Sequence, residues 1–200
     1  GKWHLSFFDK NQWPLQRGFD KFYGFISGAG NYFKPEAPRF IFEGNEKIDI
    51  KDENFYTTDV FTDKAIEFIA ETKKENTEKP FFLYLSYNAP HWPLQAPKSD
   101  IDKYRGKYIN GWEKLREERY SRMKEMELID SSWELSYDNI VSWDSLTDEK
   151  REEMDLRMAI YAAMIDRMDQ NIGRLVDDLK KKNIFENTII MFLNDNGACA

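Results

Sequence analysis

The sequence predicts an α/β fold built on a mostly parallel sheet, and three observations carry that expectation. Two apolar runs, Phe81–Tyr87 and Thr188–Leu193, are continuous rather than alternating and are bounded by breakers, the pattern of strands buried on both faces. Between them lies a helical stripe in which Met154, Met158, Tyr161, Ile165, Met168, Ile172, Leu175 and Leu179 recur in steps of four and three. A further helical pattern precedes the first run, so helices and strands alternate along the chain as they do in parallel sheets.

Taken in order, residues 1–38 are rich in Gly, Pro and aromatic side chains and show no sustained period, which predicts ordered loop with short elements. Within them Phe19, Phe22 and Tyr23 stand at near-helical spacing and read as packing residues. Phe40-Ile41-Phe42 and Ile48-Asp49-Ile50 flank Glu43-Gly44-Asn45-Glu46 and predict a hairpin over 39–50. Thr58 or Asp59 can cap a helix running to about Lys74, with Val60, Phe61, Ala65, Phe68 and Ile69 inward. After the first apolar run, residues 102–128 are polar and helix-prone, and 129–146 are irregular. The long helix begins after Thr147, with Asp148 and Glu149 at its start and Lys180-Lys181-Lys182 at its end, as the helix dipole prefers. Its stripe mixes Met, Tyr and Ile and leads into a strand-like run, which favours a helix lying on a sheet over a coiled coil.

Composition narrows the function. The 200 residues are one domain's worth of chain. Lys plus Arg number 29 against 36 Asp plus Glu, giving a net charge of −7 and a pI near 5.1. That balance disfavours nucleic acid and anionic membrane as partners. No apolar run approaches the roughly 18 residues of a membrane span. The single cysteine, Cys199, excludes an internal disulfide. The chain opens on Gly1 without an initiator Met and stops just after an apolar run, so it reads as an internal piece of a longer protein.

In parallel sheets, sites form outside the carboxyl ends of strands. The first apolar run leads into Asn88-Ala89-Pro90-His91-Trp92-Pro93, and the second into Asn194-Asp195-Asn196-Gly197. The chain has two histidines, His4 and His91, and Pro90 and Pro93 restrict the backbone around the second. A rigidly placed imidazole suits proton transfer or donation to an anion. Lys2 would project beside His4 on an extended segment, offering two cationic donors to an oxyanion such as phosphate or sulfate. Asp195 and Asn196 bring oxygen ligands of the kind hard divalent cations take, though the same residues also make an ordinary turn.

These segments stand in a recognisable order: Gly1-Lys2-Trp3-His4-Leu5, then Gly18-Phe19-Asp20 and Phe22-Tyr23-Gly24, then Ala89-Pro90-His91-Trp92-Pro93-Leu94-Gln95-Ala96-Pro97. Tyr161-Ala162-Ala163-Met164-Ile165-Asp166-Arg167-Met168-Asp169-Gln170-Asn171-Ile172-Gly173 and Asp195-Asn196-Gly197 follow. Together they resemble the formylglycine-dependent sulfatases, most closely bacterial arylsulfatases. The resemblance implies the alkaline-phosphatase-like α/β fold and makes residues 1–200 part of a sulfatase catalytic domain. It implies hydrolysis of a small-molecule or carbohydrate sulfate ester with Ca²⁺ as cofactor, in a periplasmic or secreted protein.

Residue by residue, Asp195 and Asn196 match the family's late pair of calcium ligands. Lys2 and His4 match residues that contact the nucleophile and the sulfate, and His91 matches the histidine that binds sulfate and assists departure of the alcohol. Ser6 stands where the family usually has Gly, and Asn194 where it usually has Ser. The Cys-x-(Pro or Ala)-x-Arg segment that carries the modified nucleophile has no counterpart in these residues. Its place in the family lies before Gly1, so the 200 residues alone are expected to be inactive. A phosphodiesterase or phosphonate hydrolase of the alkaline phosphatase superfamily is the alternative enzyme, and a degenerate binding protein the alternative to an enzyme.

Overall fold

The computed structural model describes residues 1–75, 78–136 and 140–194. Two compact units emerge, one formed by 1–96 with 164–200 and the other by 97–163.

The first unit is built on a small antiparallel sheet and a helix. β1 (Tyr23–Phe25) pairs with β2 (Ile41–Glu43), and β2 pairs with β3 (Glu46–Ile48). The hairpin register sets Ile41 opposite Ile48, and Gly44 takes the positive φ of 58° that the tight reversal requires. The hairpin therefore forms where the sequence puts it. β1 is a strand rather than the helical turn its aromatic spacing suggests, because Tyr23 and Phe25 pair with Glu43 and Ile41 while their rings pack on Phe61.

Phe61 belongs to α1 (Thr57–Glu75), whose buried face is Phe61, Ala65 and Ile69, with Val60 and Phe68 partly covered. Thr57, Thr58 and Thr62 are buried as well, so the helix start is more polar inside than an apolar stripe predicts. Thr62 meets this by back-bonding to the Thr58 carbonyl and by a 2.6 Å contact with the Tyr87 hydroxyl.

The second unit contains α2 (Lys98–Ile101) and α3 (Trp112–Glu125). Trp112 meets Trp143 edge to face at 4.9 Å. The buried Asp155 carboxylate accepts the backbone N–H groups of Gly106 and Tyr108 at 2.9 and 3.0 Å and pairs with Arg105.

Asp155 is on the long helix α4 (Asp148–Lys181), whose bounds match the sequence expectation and whose residues are divided between the two units. Its inward line differs from the expected stripe. Asp155, Ala159 and Ala163 are buried in the second unit, and Met164, Asn171 and Leu179 in the first, whereas Met158 and Ile165 are exposed. Small side chains let the backbone approach its neighbours closely, and the polar ones are paired. Arg167 on α4 grips Asp59 on α1 through both carboxylate oxygens at 2.8 and 2.6 Å, and Asn171 adds a third bond to that carboxylate at 2.7 Å.

The two apolar runs depart furthest from expectation. Residues 81–87 and 188–193 join no sheet ladder among the described residues. Phe82 is 76% exposed, Ile189 89% and Leu193 80%. A strand buried on both faces needs paired strands beside it; the first run has core packing at Leu85 and Tyr87 and one backbone bond to Lys2 at Ser86, but no strand pairs with either run among the described residues. A cavity of about 460 Å³ opens along the first run, lined by Phe19, Phe61, Phe68, Phe82 and Lys2 among others.

Candidate functional site

Lys2 and His4 are placed by the main chain. Gly1–His4 runs alongside β1: the Phe25 N–H donates to the Gly1 carbonyl at 2.9 Å, and Trp3 and His4 donate to the Phe25 and Ile26 carbonyls at 2.8 and 3.0 Å. Lys2 and Phe25 form an isolated parallel bridge, and the Lys2 N–H donates to Ser86 at the end of the first apolar run, at 2.7 Å. The Trp3 indole donates to the Gln12 carbonyl at 2.7 Å, tying the segment to the loop that follows. At His4 the backbone leaves the extended region, with φ 57°. The alternation that would carry Lys2 and His4 onto one face is therefore broken at His4 itself. The His4 ring lies so close over Gly28 that a Cβ there would sit 2.8 Å from its Nε2. Neither the Lys2 ammonium nor the His4 ring makes a hydrogen bond or ion pair among the described residues, so both keep their polar groups available to a ligand.

His91 is placed by side chains that lie far away in sequence. Asn88 is buried at the start of its loop, and its side-chain oxygen accepts the Thr57 hydroxyl at 3.3 Å. The His91 N–H donates back to the Asn88 carbonyl at 2.9 Å. The Tyr32 hydroxyl shares its proton between the carbonyls of Asn88 and His91, at 2.8 and 2.9 Å. Four residues past His91 the loop is held again: the Gln95 side chain accepts the Tyr32 N–H, and its carbonyl accepts the Tyr56 hydroxyl, both at 2.9 Å. Tyr32 and Tyr56 stack at 5.7 Å, and burial, with Tyr56 alongside, pushes the Tyr32 phenol above its ordinary range, so it stays a donor. The peptide bonds before Pro90 and Pro93 are cis.

The His91 ring is exposed, and its Nδ1 lies 2.8 Å from the Trp92 carbonyl. A carbonyl can only accept, so Nδ1 carries the proton, and Nε2 is left as the nitrogen that can take up or release one. The cavity along the first apolar run includes Lys2 but neither histidine, so it is not where the imidazoles act.

Asp195 and Asn196 lie outside the described residues. Among the described residues, no group of three His, Cys, Asp or Glu side chains is arranged to hold a metal ion. The sequence reading missed Tyr32, Tyr56, Thr57, Asn88 and Gly28. The nearest signal was the aperiodic stretch 1–38, rich in Gly, Pro and aromatic side chains, in which Tyr32 lies.

A sulfatase family model matches residues 1–200 in full. The chain belongs to the sulfatase family. An uncharacterised sulfatase of Schizosaccharomyces pombe is 36% identical over 99% of this chain and 38% of its own length. An arylsulfatase of Klebsiella aerogenes is 33% identical over 99% of this chain and 44% of its own length. The chain thus spans less than half of these two sulfatases. A yeast and a bacterium both appear, so the likeness does not single out bacterial arylsulfatases. Among solved structures, Ps i-CgsB matches with a TM-score of 0.59 at 24% identity, covering 93% of this chain and 34% of that one. That match supports the sulfatase α/β fold.

The segments that carried the resemblance now have physical roles. Gly1–Leu5 is the segment paired alongside β1, and Pro90–Pro97 is the His91 loop. In 161–173, Arg167 and Asn171 fasten this sulfatase's α4 to α1.

Proposed function

We propose that the protein hydrolyses sulfate monoesters of small molecules or carbohydrates, with His91 as proton donor to the departing alcohol and Lys2 and His4 as cationic donors to sulfate oxygens. The observation that supports this most is the His91 loop. It presents an imidazole whose Nδ1 proton is committed to the Trp92 carbonyl, leaving Nε2 as the one nitrogen facing chemistry. In net terms a water oxygen bonds to sulfur as the bond between sulfur and the ester oxygen breaks, the departing oxygen takes the Nε2 proton of a ring that carries both N–H protons, and a proton from that water restores the ring as sulfate leaves. A positioned acid of this kind contributes about 10²–10⁴ in rate. Family membership and an arylsulfatase relative support sulfate over phosphate as the group transferred.

The nucleophile of this reading is a formylglycine outside the 200 residues, and the 200 residues by themselves turn nothing over. Asp195 and Asn196 offer a carboxylate and an amide oxygen, hard donors that suit Ca²⁺, and we assign them as two of its ligands. When bound, the ion supplies positive charge to the nonbridging sulfate oxygens. We place the protein in the periplasm or outside the cell.

The test is His91→Ala in the full-length protein, assayed on an alkyl sulfate, whose departing alkoxide needs the proton. Turnover should fall by about 10²–10⁴ while the melting temperature stays within a few degrees of the parent. Wild-type turnover in a folded variant rejects the role given to His91.

A further inference from the structure

The His91 ring is exposed, so its own surroundings do not fix it; the loop's main chain does. The loop is anchored to two other segments, at Tyr32 and at Tyr56–Thr57, and Tyr32 takes part in most of the anchoring. Its hydroxyl reaches the carbonyls of Asn88 and His91, and its N–H donates to the Gln95 side chain. Its own carbonyl accepts the N–H of Thr57, the first residue of α1, at 2.9 Å. The ring is fully buried and stacked on Tyr56, which holds the Gln95 carbonyl. One residue therefore connects the start of α1, through its carbonyl, to the peptide that carries the imidazole, through its hydroxyl.

From this we infer that Tyr32 is the positioning residue for His91: its hydroxyl orients the His91 peptide and thereby both where Nε2 points and whether Nδ1 stays bonded to the Trp92 carbonyl. The inference rests on the role proposed above for His91. Without the hydroxyl the His91 carbonyl loses its only hydrogen-bond donor among the described residues, and the loop can rotate between Asn88 and Gln95. The Nδ1 bond is made within that same loop, so rotation disturbs that bond as well as the place of the ring.

Tyr32→Phe in the full-length protein tests this, because it removes one oxygen and keeps the stacked ring. Turnover of a sulfate ester should fall by about tenfold to a hundredfold. The loss should be larger for an alkyl sulfate, which needs the proton, than for 4-nitrophenyl sulfate, and the pH limb that disappears in His91→Ala should move. A lowered melting temperature with an unchanged pH limb and an unchanged ratio between the two esters makes Tyr32 merely structural and overturns the inference. If His91→Ala itself keeps wild-type turnover, the functional reading fails first; a dead His91→Ala beside a wild-type Tyr32→Phe overturns the positioning alone. Should Tyr32→Phe not fold, Tyr56→Phe removes the neighbouring anchor on Gln95 and is read by the same two measurements, an unmoved pH limb again counting against the inference.

Discussion

His91 sits on a loop whose shape is set by hydrogen bonds from buried side chains of distant segments, whereas His4 is placed by main-chain pairing to β1 and by the room left at a glycine. The two arrangements fail in different ways. The His91 loop depends on individual hydroxyl groups, so removing a single oxygen loosens it. The His4 segment is held mainly by its main chain, with the Trp3 indole its one side-chain bond among the described residues, and it approaches its neighbours so closely that adding a single carbon disturbs it. Deletion therefore probes one histidine and insertion the other.

The largest effect expected on the His4 side is at Gly24. Its φ is 149°, and a Cβ there would overlap the Gly1 carbonyl oxygen, a backbone atom that cannot swing aside. Gly24→Ala should separate the Gly1–His4 segment from β1 and lower stability by on the order of 3 kcal/mol, read by denaturant unfolding. A variant as stable as the parent would show that this pairing contributes little.

Gly28→Ala is gentler, because the atom it would strike is the tip of the His4 ring. The ring should move and the fold remain, with a stability change below about 1 kcal/mol and turnover down by about tenfold. An equal loss in stability and activity would mean that the glycine serves the backbone instead of the ring.

The smallest effect is at high pH. Burial pushes the Tyr23 phenol up to about 12, opposed by Lys64 and reinforced by Glu43. The folded state keeps this proton after the unfolded state has released it, so the stabilisation is complete below pH 10 and is lost as the pH rises through about 12. Tyr23→Phe should unfold less steeply across that window than the parent, followed by circular dichroism; an identical alkaline transition would assign the effect to other buried phenols such as Tyr32.

Much of the frame was legible in the sequence. The hairpin, α1 and α4 obey local rules of turn chemistry, side-chain period and charge placement, and those rules act over a few residues. The cap of α1 is not where the sequence suggests, because the helix starts at Thr57, and Thr58 and Asp59 lie inside its first turn. The motifs were legible because a family repeats them. The inward line of α4 was not legible. Hydropathy selects Met158 and Ile165, but close packing selects Ala159 and Ala163, and Asn171 is buried because Asp59 waits for it more than a hundred residues earlier. Tyr32 was invisible for a similar reason: its partners Asn88, His91 and Gln95 lie some sixty residues downstream, and nothing in an aperiodic stretch announces them. The apolar runs show the converse. Their composition states what they would bury, and burial itself depends on which strands lie beside them.

That last point bears on how the 200 residues behave in solution. Ile189-Ile190-Met191-Phe192-Leu193 is uncovered, carries no charge and no proline, and joins no ladder among the described residues. A segment of that kind is a template for its own copies, which can stack edge to edge as readily as they could join a native sheet. Handled as an isolated polypeptide, the chain should therefore self-associate in a concentration-dependent way despite its net charge of −7, and a lysine in place of Met191 should suppress it.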